Sequence, residues 1–194
     1  LLSLNNYYLI RGKEMIKFIT TLLALFMFST SYAKEVKVGI ILGFTGPIES
    51  LTPGMAAGAE LAFNEASNSG ALLGGSTVSS IRADSTCIDS AAAASAAEFL
   101  ISQGVTAIMG ADCSGVTGAV LSNVAVPNGV PMISPSATSP ALTTAEDNGL
   151  FFRTAPSDAR GGEVLADITS DRGISSVAIT YVNTDYGVGL ADVY

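Results

Sequence analysis

The chain has 194 residues, 48% of them hydrophobic, and carries 9 basic against 17 acidic side chains for a net charge of −8. That apolar content supports a real core in one domain or one and a fraction, and the acidic balance argues against nucleic acid as a partner. There is no His, which excludes a His-based triad, an imidazole general base and an ordinary zinc site.

The first methionine is Met15. Behind it come Lys17 as a short basic end, a mostly apolar run over 18–28 and a small-x-small site at Ser31-Tyr32-Ala33. This is the pattern of a secretory signal peptide over 15–33, cleaved after Ala33. The run is too short to span ~30 Å of hydrocarbon, and no Cys follows the site to take a lipid. Residues 1–14 read as an upstream extension outside the natural product. Cleavage removes Arg11, Lys13 and Lys17 but only one acid, Glu14, so the exported chain is more acidic than the whole.

The first expected strand is 36–42, a nearly continuous apolar run broken by Gly39, which suits a strand covered on both faces. A Gly- and Pro-containing loop follows over 43–50. From 53 to 68 the apolar residues fall at helical spacing, with Ala56, Ala59 and Phe63 on one face. A second strand is expected at 77–83, an Ala-rich helix at 90–103, a third strand at 106–109, a helix from about 115 to 123 and a fourth strand at 130–134. A short strand at 150–153, a helix to about 170 and a buried parallel-type strand at 176–182 follow. The chain then stops inside what should be the next helix, so it reads as a fragment. Strand, helix, strand, helix at this spacing implies βαβ units, an α/β fold with a doubly wound parallel sheet.

Two loops draw attention. At the end of the fourth strand come Ser134, then Pro135, Ser136, Thr138 and Ser139, and then Pro140. The prolines restrict φ and bias the residues before them away from helix. After the third strand come Asp112, Cys113 and Ser114, with a helix start. Open α/β sheets hold ligands at the carboxyl ends of their strands, and two such loops place hydroxyls and helix-start amides around one carboxylate. Export also permits a disulfide. Cys87 and Cys113 each follow an expected strand, and neighbouring parallel strands would bring them together; two separate buried thiols are the other reading.

At this point the chain resembles the solute-binding proteins of ABC transporters, in the branched-chain amino-acid (leucine/isoleucine/valine) family. The matching stretches are Val38-Gly-Ile-Ile-Leu-Gly-Phe-Thr-Gly-Pro47, Gly58-Ala-Glu-Leu-Ala-Phe-Asn-Glu65, Asp84 with Cys87, and Gly110-Ala-Asp-Cys-Ser114. Ile133-Ser-Pro-Ser-Ala-Thr-Ser-Pro140, Phe152-Arg-Thr-Ala-Pro156 with Asp158, and Asp185-Tyr-Gly187 complete the set, in family order. The resemblance implies the type I periplasmic-binding fold: a first lobe over 34–153 and the start of a second over 154–194, with the ligand clamped between lobes. It implies ligand contacts from Ser114 (hydroxyl and amide), Ser136 and Ala137 (a backbone position), Thr138 (hydroxyl and amide), Asp158 and Tyr186. A Cys87–Cys113 bridge also matches family members. The loop Ile48-Glu-Ser-Leu51 departs from the family in lacking the aromatic residue some members use to shape the side-chain pocket.

Each of these residues has a second reading. Ser114 also suits a helix N-cap, Asp158 a helix cap, and Tyr186 a packed aromatic at a lobe edge. Asp84, Asp89 and Asp112 read as cap and turn residues. Gly43-Phe-Thr-Gly46 lacks the Gly-Lys-Ser/Thr ending of a phosphate loop. No nucleophile–base pair is present. The expectation is a non-enzymatic, cofactor-free, metal-free periplasmic monomer. It captures a small amino acid or related carboxylate and delivers it to an ABC permease in the inner membrane. Use of the same fold as a ligand sensor in signalling is the alternative.

Overall fold

The computed structural model describes residues 34–194; the expected signal peptide and upstream extension lie outside them. Strands β1 (Glu35–Leu42), β2 (Thr77–Asp84), β3 (Ala107–Gly110), β4 (Met132–Ser134) and β5 (Phe151–Arg153) form one sheet in the order β2-β1-β3-β4-β5. Every pairing is parallel, with Val36 beside Val78, Val38 beside Ala107, Ile108 beside Met132, and Met132 beside Phe151. The helices are α1 (Thr52–Asn68), α2 (Ser90–Ser102), α3 (Ser114–Val120), α4 (Asp158–Asp171) and α5 (Asp185–Asp192).

The apolar run of β1 is continuous because it feeds two layers. Successive side chains of a strand point to opposite faces. Ile41 packs with Leu100 of α2 and with Val116 and Val120 of α3, while Ile40 and Leu42 turn the other way to Ala56, Met55 and Phe63 of α1. All three β1 residues are fully buried, each contributing roughly 1.5–3 kcal/mol. Gly39, the break in the run, lets α2 approach: a Cβ there would stand 2.7 Å from Leu100 Cδ1.

Local chemistry sets the helix starts. Pro53 opens α1, where its missing N–H costs nothing, and Thr52 Oγ1 ties that end to the Gly43 carbonyl at 3.1 Å. The Asp89 side chain caps α2 by accepting from the amides of Ala91 and Ala92. Ser157 caps α4 and Thr184 caps α5. At β4 the ladder begins at Met132 rather than at residue 130. Pro131 has no N–H to give, and the Val130 amide is already donated to the Ala125 carbonyl at 2.9 Å. The helix expected to end near residue 123 instead widens from α3 into a π turn over Leu121–Ala125.

One element differs from expectation. Residues 176–182 carry a strand's composition but form no strand, and they are exposed, Val177 at 50% and Val182 at 59%. A strand needs a neighbour to complete its backbone hydrogen bonds, and among the described residues no other strand lies beside this segment.

Candidate functional site

The sheet order fixes where a ligand has room. β1 has β2 on one side and β3 on the other, so the winding reverses between β1 and β3. In open α/β sheets the crevice lies outside the carboxyl ends of the strands at such a reversal. The loop after β1 and the loop after β3 meet there, and Asp112 joins them. Its Oδ2 accepts from the Gly43 amide at 2.6 Å, and its Oδ1 from the Ser85 hydroxyl at 3.2 Å and the Cys113 amide at 2.9 Å. Asp112 is 3% exposed. A carboxylate survives burial only with such donors, and these three come from the ends of β1, β2 and β3.

Cys87 and Cys113 are joined by a disulfide, with Cα atoms 5.2 Å apart. Their strands are not the neighbours expected from the sequence: β1 runs between β2 and β3, and the bridge crosses over its end. Gly43 is what it crosses; a Cβ there would stand 3.2 Å from Cys87 Cβ and 3.4 Å from Asp112 Oδ2. Asp84 holds the same loop from the other side, accepting from the Thr45 amide and hydroxyl and from the Thr86 amide. Burial works against ionisation of Asp84. The Thr45 hydroxyl and the amides of Thr86, Thr45 and Phe44 outweigh it and hold the carboxyl below its ordinary value.

The loops after β3 and β4 are fastened side by side. Ser134, fully buried, donates its hydroxyl to the Ala111 carbonyl and accepts the Ala137 amide at 3.0 Å. The Ser136 hydroxyl donates to the Asp112 carbonyl at 2.9 Å, and the Ser139 amide donates to Ser114 Oγ at 3.1 Å. Arg153, at the end of β5, closes the loop from behind. It donates to the carbonyls of Ala137 at 3.3 Å and Ser139 at 2.9 Å, and to the Thr143 hydroxyl.

A cleft of about 640 Å³ opens above these loops. Ser114, Ser136 and Tyr186 line it, and Ile48, Leu51, Met55 and Ile88 give it an apolar wall. Among its lining residues there is no Lys or Arg, and the acids are Asp112 and Asp185. The cleft thus offers hydroxyl and amide dipoles, two acids and an apolar surface.

The six residues expected to contact ligand do not all stand on that lining. Ser114 accepts from Ser139, which leaves its own O–H free to donate. The Ser136 O–H is committed to Asp112. Ala137 is fully buried, its amide held by Ser134 and its carbonyl by Arg153. Thr138 is half-buried and does not stand on the lining, two residues from Ser136, which does; its carbonyl accepts the Asp158 amide at 3.0 Å. Asp158 is the first residue of α4 and not its cap, a job done by Ser157. Its Oδ2 is buried and meets no donor, which is uncommon in folded proteins. Tyr186 is 44% exposed.

The family profile described as "Periplasmic binding protein" matches residues 35–194. The chain belongs to that family. The periplasmic binding protein chain is 32% identical over 169 residues to the Leu/Ile/Val-binding protein homolog 3 of Brucella melitensis, covering 86% of this chain and 44% of the relative. Among solved structures it resembles a substrate-binding protein of Desulfitobacterium hafniense in complex with Leu. That match has 28% identity and a TM-score of 0.66 over 82% of this chain and 46% of the other. It also resembles the branched-chain amino acid binding protein LivJ of Streptococcus pneumoniae in complex with isoleucine. There the identity is 31% and the TM-score 0.62, over 72% of this chain and 39% of the other. The fold is the type I periplasmic-binding fold, and the chain spans under half the length of the curated relatives it matches.

Sequence reasoning passed over two residues that shape the site. Asp112 was legible only as a turn acid, because its three donors come from loops up to 69 positions away. Arg153 stands in a stretch that matches the family, but nothing in the sequence says that its partners are carbonyls 14 and 16 residues upstream.

Proposed function

We propose that this chain is the ligand-gripping part of an extracytoplasmic solute-binding protein. It captures a small amino acid or related carboxylate between two lobes and presents it to an ABC permease in the inner membrane. The observation that carries this reading is the cleft at the sheet's reversal point, lined by hydroxyls and apolar side chains but by no Lys or Arg. A zwitterion needs several donors for its carboxylate and an acceptor for its ammonium when it leaves water. The free O–H of Ser114 and the hydroxyl and amide of Thr138 serve the carboxylate. The Ser136 carbonyl and the partnerless Asp158 Oδ2 serve the amino group, with Tyr186 closing over it. The apolar wall of Ile48, Leu51, Met55 and Ile88 takes an aliphatic side chain, as do the relatives whose names specify leucine, isoleucine or valine.

In this reading residues 34–153 are the first lobe, 154–194 open the second, and 15–33 direct export of a monomer. Ligand contacts on both lobes bias a hinge toward the closed form. The test is a thermal-shift screen of the full-length protein against amino acids, amides and short carboxylates. A true ligand at 100-fold its Kd raises stability by ~2.7 kcal/mol. A flat response across all amino acids and carboxylates rejects the assignment.

A further inference from the structure

The cleft has no cation on its lining, yet the Arg153 guanidinium is bonded to the carbonyls of the loop behind it. We propose that Arg153 is a positioning residue that both sets and polarises the Thr138 amide, so that this amide binds the ligand carboxylate more strongly than an ordinary peptide N–H. The inference rests on the reading of the cleft given above. Arg153 Nη1 donates to the Ala137 carbonyl at 3.3 Å. That carbonyl and the Thr138 N–H belong to one peptide group, and a hydrogen bond accepted at the oxygen strengthens the donor at the nitrogen, by about 10–30% per bond.

Among the described residues the Thr138 N–H meets no acceptor. The neighbouring amides are spent: Ala137 donates to Ser134 Oγ and Ser139 to Ser114 Oγ. The loop therefore leaves the Thr138 amide open, two residues from Ser136, which lines the cleft, and next to Ser139, which is bonded to Ser114 of the lining. The second Nη1 bond, to the Ser139 carbonyl at 2.9 Å, has no polarising effect to pass on, because the next residue is Pro140 and its peptide lacks an N–H. That bond and the one to Thr143 fix the fork in place. A lysine supplies the charge without the planar fork.

The experiment compares L-leucine with L-leucinamide, titrated calorimetrically into the full-length protein and its Arg153→Gln and Arg153→Lys variants. Arg153→Gln is expected to lose about two- to fivefold in leucine affinity, the share of one charge-assisted hydrogen bond that such strengthening supplies. Its loss for leucinamide, which has no carboxylate, is smaller, so the leucine-to-leucinamide preference falls. Arg153→Lys lies between. A residue that merely braces the loop weakens both probes alike, and an unchanged preference in Arg153→Gln overturns the proposal. If that variant does not fold, the 15N resonance of the Thr138 amide decides: it moves in Arg153→Lys if the guanidinium polarises that peptide, and a stationary resonance overturns the proposal. Wild-type protein that ignores both probes instead removes the reading of the cleft on which this one stands.

Discussion

The hydroxyl of Ser114 accepts the backbone amide of Ser139 at 3.1 Å, tying the loop after β3 to the loop after β4 at the floor of the cleft. Both residues are buried, at 3% and 2% exposure. Replacing Ser114 by Ala strands a buried amide, which costs about 1–3 kcal/mol, and removes the hydroxyl proposed to meet the ligand carboxylate. The expected result is a lower urea midpoint together with at least a tenfold loss of affinity for the ligand found in the screen. Unchanged affinity would place the carboxylate elsewhere.

Asp158 should behave in the opposite sense for stability. A buried oxygen without a donor is a cost to the unliganded fold, of the kind proteins tolerate where function requires it. Asp158→Asn is expected to leave the unliganded protein as stable or more stable in thermal unfolding, while weakening the binding of amino acids. A clear drop in stability with intact binding assigns Asp158 a structural role instead.

The Cys87–Cys113 bridge spans a sequence separation of 26. Loop-closure entropy for a ring of that size is worth about 3–4 kcal/mol against the unfolded chain. The Cys87→Ser/Cys113→Ser protein is expected to lose stability on that scale. Wild-type protein should lose the same amount on full reduction, and the double variant should not respond to reductant. Equal unfolding midpoints for oxidised and reduced wild-type protein would contradict this.

Asp84 sets an acid limit. Its folded carboxyl is held below the ordinary value by the Thr45 hydroxyl and nearby amides, against burial. A depressed folded pKa stabilises at pH above the unfolded value of about 3.9. That stabilisation is lost as pH falls through the lower, folded value. Stability measured by urea midpoint should therefore fall more steeply from pH 5 to pH 3 in the wild type than in Asp84→Asn. Parallel slopes in the two proteins would remove Asp84 from the account.

Much of the fold was legible in the residues. Apolar runs at 36–42 and 106–109, Ala-rich helical spacing at 90–103 and punctuation by Gly104 are local signals, and each became the expected element within a few residues. The segment at 176–182 was not decided locally. Its composition is that of a buried strand, but a strand is defined by its neighbours, and among the described residues it has none. For the site, the hydroxyl-rich loops were visible as Ser114, Ser136 and Thr138, because small polar residues after a strand carry their meaning on their face.

By itself, then, the order of residues determined a parallel α/β sheet, its layers, and which loops carry the polar groups, since these follow from periodicity and turn chemistry over short spans. Only the tertiary structure decided that β1 lies between β2 and β3, that the disulfide passes over Gly43, and that Arg153 stands behind the Ala137 carbonyl. It also decided which donors remain open among the described residues: the amide and hydroxyl of Thr138 and the hydroxyl of Ser114, while the Ser136 hydroxyl and the Ala137 amide are spent. Those outcomes depend on partners dozens of residues apart, and a hydrogen bond between distant groups exists only once the chain has brought them within about 3 Å of each other.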